Sequence, residues 1–327
     1  MRDVIIDGRP LVGHRTGIGV HTAEIAKRLA HPPLIASHAT IDDKEGIEHC
    51  RFRVDRAING IAWQQLVLPR IEGDVVWGPH GTLPLKLKKP SVVTVHDFTS
   101  ITMPGRHRLK TILSYNLFIG RSLEKASRIA CVSRAIADET VRGFGVNREK
   151  IEIVPNGVDE FFSPGGEERD YILFAGTLEP RKGVDDLIAA WRWLPAPRPR
   201  LILCGDRGWG VTIPDDVEVT GYVTRERLRE LYRGAIAFVY PSRYEGFGIP
   251  PLEAMACGAP VIATRVGAIP EYLDGVLIER SELRGALARV LRDAGLRREL
   301  RARGPERAKQ FRWDRSAQLM AELLRCA

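Results

Sequence analysis

Short apolar runs of strand length alternate with stretches of helical periodicity along the whole chain, and this alternation is the strongest constraint on its fold. In the first half, strand-like runs at 4–7, 74–77, 91–96, 128–132 and 150–154 are interleaved with helical patterns at 17–30, 106–125 and 133–144. The rhythm restarts with runs at 171–175, 200–204, 217–221, 237–240, 261–263 and 276–278, and helical patterns at 184–193, 224–233, 251–256 and from 281 onward. Several runs, such as Ser91-Val92-Val93-Thr94-Val95 and Tyr171-Ile172-Leu173-Phe174, lack a polar-out alternation. Such runs suit parallel strands buried on both faces, which predicts α/β architecture with doubly wound parallel sheets. Pro155-Asn156-Gly157 and the polar, turn-rich stretch 163–168 separate the two series. Two Rossmann-like domains facing a cleft are therefore expected, at 1–160 and 168–311, with ligands at the carboxyl ends of the strands.

The length of 327 residues fits two domains of ordinary size, and 44% hydrophobic with 28% charged residues is globular composition. No apolar run approaches the roughly 18 residues of a membrane span. Met1-Arg2-Asp3 leads directly into Val4-Ile5-Ile6 without a signal-peptide core. Five scattered cysteines form no C-x-x-C pair, which argues against a disulfide framework or a zinc site. A reduced, soluble, cytoplasmic protein is expected. The net charge of +8 is concentrated in two islands. Residues 86–128 hold nine Lys/Arg against Asp97 and Glu124, and residues 280–327 hold thirteen against six acids. Nucleic acid, a membrane surface and an anionic substrate are all compatible with that balance.

Thr16-Gly17-Ile18-Gly19 follows the first run and opens the first helix, where bare backbone and unpaired N–H groups can meet an anion. A plain tight turn is the competing reading, since Thr22 stands where a dinucleotide fingerprint has its third glycine. Gly176-Thr177-Leu178-Glu179-Pro180-Arg181-Lys182-Gly183 sets two adjacent cations at a strand's carboxyl end. Arginine can grip phosphate oxygens bidentately and lysine can neutralise them, although a solvated basic turn has the same composition. The segment from Pro241 to Pro260 is the most informative. Its Glu245 and Glu253 are separated by seven residues, and Gly246-Phe247-Gly248 forms a loop whose amides can face a ligand. With Pro251 read as the first helical residue, Glu253 falls in the first turn, where the helix dipole stabilises a carboxylate that can bind vicinal hydroxyls. Two acids around an amide-lined loop suit a polyhydroxylated ligand carrying phosphate. A capping Glu253 with a surface Glu245 is the alternative. His96-Asp97, after a buried run, and His80 are candidates for the cleft or for structural roles, and Cys131, Cys204 and Cys257 read as small core residues.

These stretches, together with Val154-Pro155-Asn156-Gly157-Val158-Asp159 and Gly221-Tyr222-Val223, resemble the retaining GT-B glycosyltransferases of family 4, which use nucleotide sugars. The resemblance runs across nearly the whole chain. It implies that Gly17 and Gly19 offer amides to the donor diphosphate and that Arg181 and Lys182 pair with it. It further implies that Glu253 binds the donor ribose, Glu245 the transferred sugar, and the amides of Phe247, Gly248 and Ile249 the sugar and phosphate. His96 would lie beside the reacting sugar, Gly221 and Tyr222 would border the base, and His80 and Asp97 would lie on the acceptor side. The final helix after Phe311-Arg312-Trp313-Asp314 would cross back, so that 312–327 joins the first domain. Bacterial polysaccharide mannosyltransferases look most similar, which makes GDP-mannose the expected donor and a glycan, glycolipid or polyprenyl-linked molecule the acceptor.

The implied reaction needs no protein nucleophile and no metal, because D-x-D is absent and Arg181 and Lys182 take over its charge. A sugar-nucleotide epimerase and a non-catalytic nucleotide-sugar-binding protein are the competing classes. No nucleic-acid-binding motif accompanies the basic charge, so nucleic acid is not an expected partner. The C-terminal basic island interleaves with Glu282, Asp293, Glu299 and Glu306 and reads as a solvated, salt-bridged face. On the 106–128 segment, Lys110, Ser114, Leu117, Arg121, Lys125 and Arg128 form one stripe beside Tyr115 and Phe118. Cations among exposed apolar residues suit an anionic membrane surface and a peripheral location at the inner membrane face, against a plain solvated face.

Overall fold

The protein is described here by a computed structural model covering residues 2–56, 59–102 and 109–327, with the side chains of 109–116 outside the description. It divides into two compact units, one of residues 1–156 with 313–327 and one of residues 157–312.

In the first unit, β1 (Val4–Asp7) leads into α1 (Gly17–Ala26), followed by β2 (Leu34–Ser37), β3 (Arg51–Val54) and α2 (Gly60–Leu66). Then come β4 (Val75–Gly78), β5 (Ser91–Val95), α3 (Thr99–Thr102), α4 (Leu109–Lys125), β6 (Arg128–Cys131), α5 (Arg134–Phe144) and β7 (Ile151–Ile153). Among the described residues the strands form a seven-stranded parallel sheet in the order β3-β2-β1-β4-β5-β6-β7. The order reverses beside β1, which is the place where ligands of doubly wound sheets bind. Strands β4 and β5 are buried at every residue, as the absence of polar alternation predicts.

The expected elements recur with ends moved by a few residues, as helix and strand termini generally do. Helix α1 stops at Ala26 rather than at residue 30. Strands β2 and β3 had no counterpart in the sequence reading. Each has four residues, and three of the four in β3 are exposed at the sheet edge.

The second unit runs β8 (Arg169–Ala175), α6 (Val184–Arg192), β9 (Arg200–Cys204), β10 (Glu218–Gly221), α7 (Arg225–Gly234), β11 (Ala235–Tyr240) and α8 (Ile249–Ala256). It closes with β12 (Val261–Thr264), α9 (Ile269–Tyr272), β13 (Val276–Ile278), α10 (Leu283–Arg292) and α11 (Ala294–Ala308). Its sheet has six parallel strands among the described residues, in the order β10-β9-β8-β11-β12-β13, with the reversal between β8 and β11. Of the C-terminal basic residues, Arg303 pairs with Glu299 and Lys309 with Glu306 among the interleaved acids, whereas Arg297 and Arg301 reach Glu168 outside the island.

The last helix, α12 (Trp313–Cys326), returns to the first unit and packs on α1. Its Ala317, Met320, Leu323 and Leu324 enter the same core as Ile6, Ile25, Trp77 and Val92. Ser316 Oγ donates to the Pro155 carbonyl at 2.5 Å. Met320 is fully buried, so Met320→Ala is expected to cost about 2–5 kcal/mol. A urea denaturation series followed by near-UV dichroism measures the loss. An unchanged midpoint would mean that α12 does not support the first core.

Candidate functional site

In the second unit the chemistry gathers where the strand order reverses, between the ends of β8 and β11. After β8 the chain makes a single 3-10 turn at Pro180–Lys182, closed by Gly183 in the left-handed region (φ 68°). A β-carbon on Gly183 would lie 2.1 Å from the Pro241 carbonyl oxygen, so only glycine lets this turn approach the end of β11. A backbone bond from Arg243 N–H to the Arg181 carbonyl, 2.8 Å, joins the two loops.

Glu245 is the focus of this junction. One of its carboxylate oxygens, Oε1, accepts from Lys182 Nζ at 2.5 Å, Ser242 Oγ at 2.5 Å, Tyr240 OH at 3.0 Å and Arg181 Nη1 at 3.5 Å. Burial pushes the Glu245 carboxyl up, but Lys182, then Arg181, and the bonds from Lys182 and Ser242 outweigh it and leave the pKa below the ordinary carboxylate range. Glu245 is thus an anion at neutral pH. Burial holds the Lys182 ammonium below its ordinary range, and the Glu245 charge offsets only part of that. Burial, then the Glu245 charge, hold the Tyr240 hydroxyl well above its usual range, so it stays protonated and donates. Arg181 is clamped from the other side by Glu179, 2.7 Å from Nη2, and reaches the Tyr244 carbonyl at 3.2 Å. The two cations at the end of β8 are therefore fixed by carboxylates, not free in solvent. Glu179, Tyr240 and Ser242 supply this setting, and sequence reasoning assigned them no role.

The loop after Glu245 turns directly into α8. Gly248 is the N-cap residue, with φ 86°, and the amides of Phe247, Gly248 and Ile249 lie where a helix leaves its first N–H groups unpaired. The Phe247 ring points inward and stacks on Tyr272 at 4.9 Å, so this residue offers backbone, not side chain. The helix begins at Ile249, with both Pro250 and Pro251 in its first turn, since neither proline needs an N–H there. Glu253 is accordingly beyond the first turn, which corrects the expected placement. The dipole contribution fades over that distance, and Glu253 instead accepts from Tyr232 OH at 3.1 Å. Gly221, at φ 68°, ends β10 and bonds through its carbonyl to Gly205 N–H at 3.0 Å. Tyr222 beside it is 67% exposed.

The remaining candidates lie in the first unit. Gly17 and Gly19 open α1, whose N-cap Thr16 makes no side-chain cap bond. The two glycines differ in their surroundings. A β-carbon on Gly19 would lie 2.6 Å from the Pro10 carbonyl oxygen, whereas one on Gly17 would meet nothing within 4 Å. Gly19 thus permits close packing, whereas the space beside Gly17 is open whether or not a β-carbon is present.

His96, after β5, places Nε2 2.9 Å from the Pro79 carbonyl oxygen. Burial pushes its pKa down to about 4, against the Pro79 bond, with His80 adding to the fall. His80 borders a cavity of about 260 Å³ together with Arg9, His14 and Thr16. Its pKa is also lowered, by burial and then Arg9. Asp97 accepts from the Thr99 backbone N–H at 3.0 Å at the start of α3.

Two buried arrangements had no sequence signal. Asp7 accepts Arg9 Nη2 at 2.7 Å and Gln64 Nε2 at 3.1 Å, and His21 meets Asn156.

The lowered histidines make a stability prediction. Each is neutral in the folded chain at pH values where the unfolded chain binds a proton, so their contribution is present above about pH 6.5 and lost as pH falls toward about 4. The thermal midpoint should drop over that window, and His21→Phe should make the drop shallower. Equal slopes in both proteins would contradict the assignment.

Comparison with known proteins agrees with this layout. Residues 159–310 match the family described as Glycosyl transferases group 1, and residues 46–160 match Glycosyltransferase Family 4. The chain is 30% identical to the O-antigen chain mannosyltransferase B of Escherichia coli, over 95% of this chain and 96% of that one. It is also 30% identical to a D-inositol 3-phosphate glycosyltransferase of Actinosynnema mirum, over 59% of this chain and 56% of that protein. Among solved structures, Anabaena HepE in complex with UDP-glucose superposes with a TM-score of 0.82 at 20% identity, covering all of both chains. WaaG, a glycosyltransferase involved in lipopolysaccharide biosynthesis, gives 0.75 at 18% identity over 98% of this chain and 99% of that one. The chain belongs to the family 4 glycosyltransferases of GT-B fold, and it is a glycosyltransferase enzyme.

Proposed function

We propose that the protein transfers mannose from GDP-mannose, with retention, to a glycan, glycolipid or polyprenyl-linked acceptor during polysaccharide assembly. The observation that carries this reading is the fixed pair of cations, Arg181 and Lys182, set around Glu245 at the reversal of the second sheet. The likeness to the O-antigen chain mannosyltransferase supports mannose as the sugar.

In the proposed reaction the bond from the sugar's anomeric carbon to the diphosphate oxygen breaks while the acceptor oxygen bonds to that carbon from the same face. The acceptor hydroxyl's proton passes to the departing phosphate. Negative charge grows on the diphosphate as the sugar becomes oxocarbenium-like, and preorganised cations and amides favour that state over the ground state. Arg181 and Lys182 take the diphosphate charge, with the amides of Gly17, Gly19, Phe247, Gly248 and Ile249 contributing. Glu245 orients the cations and the transferred sugar, and Glu253 holds the ribose. Gly221 and Tyr222 border the base, His96 lies beside the reacting sugar, and His80 and Asp97 face the acceptor. No metal is required in this scheme.

A hydrolysis screen across nucleotide sugars in EDTA tests it. GDP-mannose should be consumed fastest, and Arg181→Ala or Lys182→Ala should slow turnover about 10²–10³-fold. Thermal midpoints are measured alongside, because Lys182→Ala also leaves buried Glu245 short of one cation. Preference for another nucleotide sugar overturns the donor assignment, and loss of activity in EDTA overturns metal independence.

The acceptor side carries a second element of the proposal, an anionic membrane surface contacted through 106–128. Leu117 is 64% exposed and Arg121 is exposed beside it on α4, while Lys125 and Arg128 spend hydrogen bonds on the Leu85 and Glu149 carbonyls. Residues 106–108 and the side chains of Lys110, Ser114 and Tyr115 lie outside the described residues. Among the described residues no helix is long and apolar enough to cross a membrane. Vesicles containing anionic lipid should bind the protein more tightly than neutral ones, and Leu117→Ser with Arg121→Ser should abolish the difference. Equal binding to both vesicles removes the membrane from the proposal.

A further inference from the structure

One fully buried ring in the first unit takes no part in the donor chemistry. His21, on α1, sets Nδ1 2.7 Å from Oδ1 of Asn156, which is itself 4% exposed. Its other nitrogen, Nε2, is buried and has no hydrogen-bond partner among the described residues. A buried polar atom left unpaired costs about 1–3 kcal/mol.

What the ring touches is His96. The two imidazoles stand edge to face, with centroids 4.8 Å apart and planes at 88°. The ring centroids of Trp77 from β4 and Trp313 from α12 each lie 6.0 Å from that of His21. Together with the Asn156 bond they leave the His21 ring little room to turn. Burial lowers the pKa of both histidines, so they meet as neutral rings.

His96 has one other anchor, the 2.9 Å contact from Nε2 to the Pro79 carbonyl oxygen. A carbonyl only accepts, so the bond assigns the hydrogen to Nε2 and the lone pair to Nδ1. A single bond locates Nε2 but leaves the ring free to rotate about it. Contact with the His21 ring supplies the missing constraint on the plane.

We propose that His21 is a positioning residue that sets the plane of the His96 ring, and with it the direction of the Nδ1 lone pair toward the reacting sugar. The kinetic consequence rests on the glycosyl-transfer reading, while the geometry of His96 can be read without turnover.

A double-mutant cycle on donor hydrolysis tests it with His21→Ala, His96→Ala and the pair. His21→Ala should lower kcat roughly ten- to a hundredfold and leave the donor KM within about twofold. In the His96→Ala background it should change little, because residues acting through one another are not additive. His21→Phe retains a ring against His96 and should recover most of the rate. In parallel, imidazole nitrogen spectra should show the His96 signals moved in His21→Ala and returned toward wild type in His21→Phe. Effects that multiply in the cycle, or His96 signals unmoved in His21→Ala, overturn the proposal. Should His21→Ala fail to fold, Asn156→Ala, which removes the bond holding the His21 ring, enters the same cycle and spectra: effects that multiply, or His96 signals unmoved in Asn156→Ala, overturn the proposal equally. If the wild type does not hydrolyse GDP-mannose, the donor reading fails, and the spectra still decide the role of His21.

Discussion

A single carboxylate oxygen organises the second unit where its strand order reverses. Glu245 Oε1 gathers the ammonium of Lys182, the hydroxyls of Tyr240 and Ser242 and an edge of the Arg181 guanidinium. Burying a carboxylate is costly unless it is paired and hydrogen-bonded, and here the partners come from both strand ends flanking the reversal. The same contacts that satisfy Glu245 fix the turn after β8 against the loop after β11. Removing any one partner would loosen the others, so the site behaves as one electrostatic unit. Gly267 reflects how tightly that loop is enclosed: a β-carbon there would lie 1.6 Å from the Glu245 carbonyl oxygen.

The architecture was legible because apolar runs and helical periodicity act locally and repeat. Strands β4 and β5 show this in their unbroken burial. Where local signals were weak, the reading failed. Strand β3, Arg51–Val54, carries no buried run, and its alternation of two arginines with Phe52 and Val54 spans only four residues, too few to stand out as a strand. Strand β2 is equally short and follows Pro32-Pro33. The start of α8 was misplaced because Pro251 suits a first helical position, whereas the helix begins two residues earlier at Ile249, and that difference moved Glu253 out of the first turn.

The candidate site was legible in part. Arg181, Lys182 and Glu245 stood out as charged residues beside glycines at predicted strand ends. Their partners did not, since Tyr240 reads as the last residue of an apolar run and Ser242 as loop. The His21–Asn156 contact joins residues 135 apart in the chain, and the His21–His96 contact is an edge-to-face meeting of two rings. Neither leaves a periodicity or spacing. Polar groups that meet only after the sheet has formed are invisible to patterns that report on one element at a time.

The ends of the second unit carry a different implication. Val158 N–H bonds to the Phe311 carbonyl at 2.9 Å, Val158 and Arg312 form a parallel bridge, and Arg312 pairs with Glu160. Entry and exit of residues 157–312 are thus stitched side by side, and the first unit resumes at Trp313. A segment whose two ends coincide can be inserted into a host without stretching it. In this chain one narrow splice joins the two sheets, so a whole alternative second unit with the same end spacing could be exchanged while α12 keeps its place in the first core.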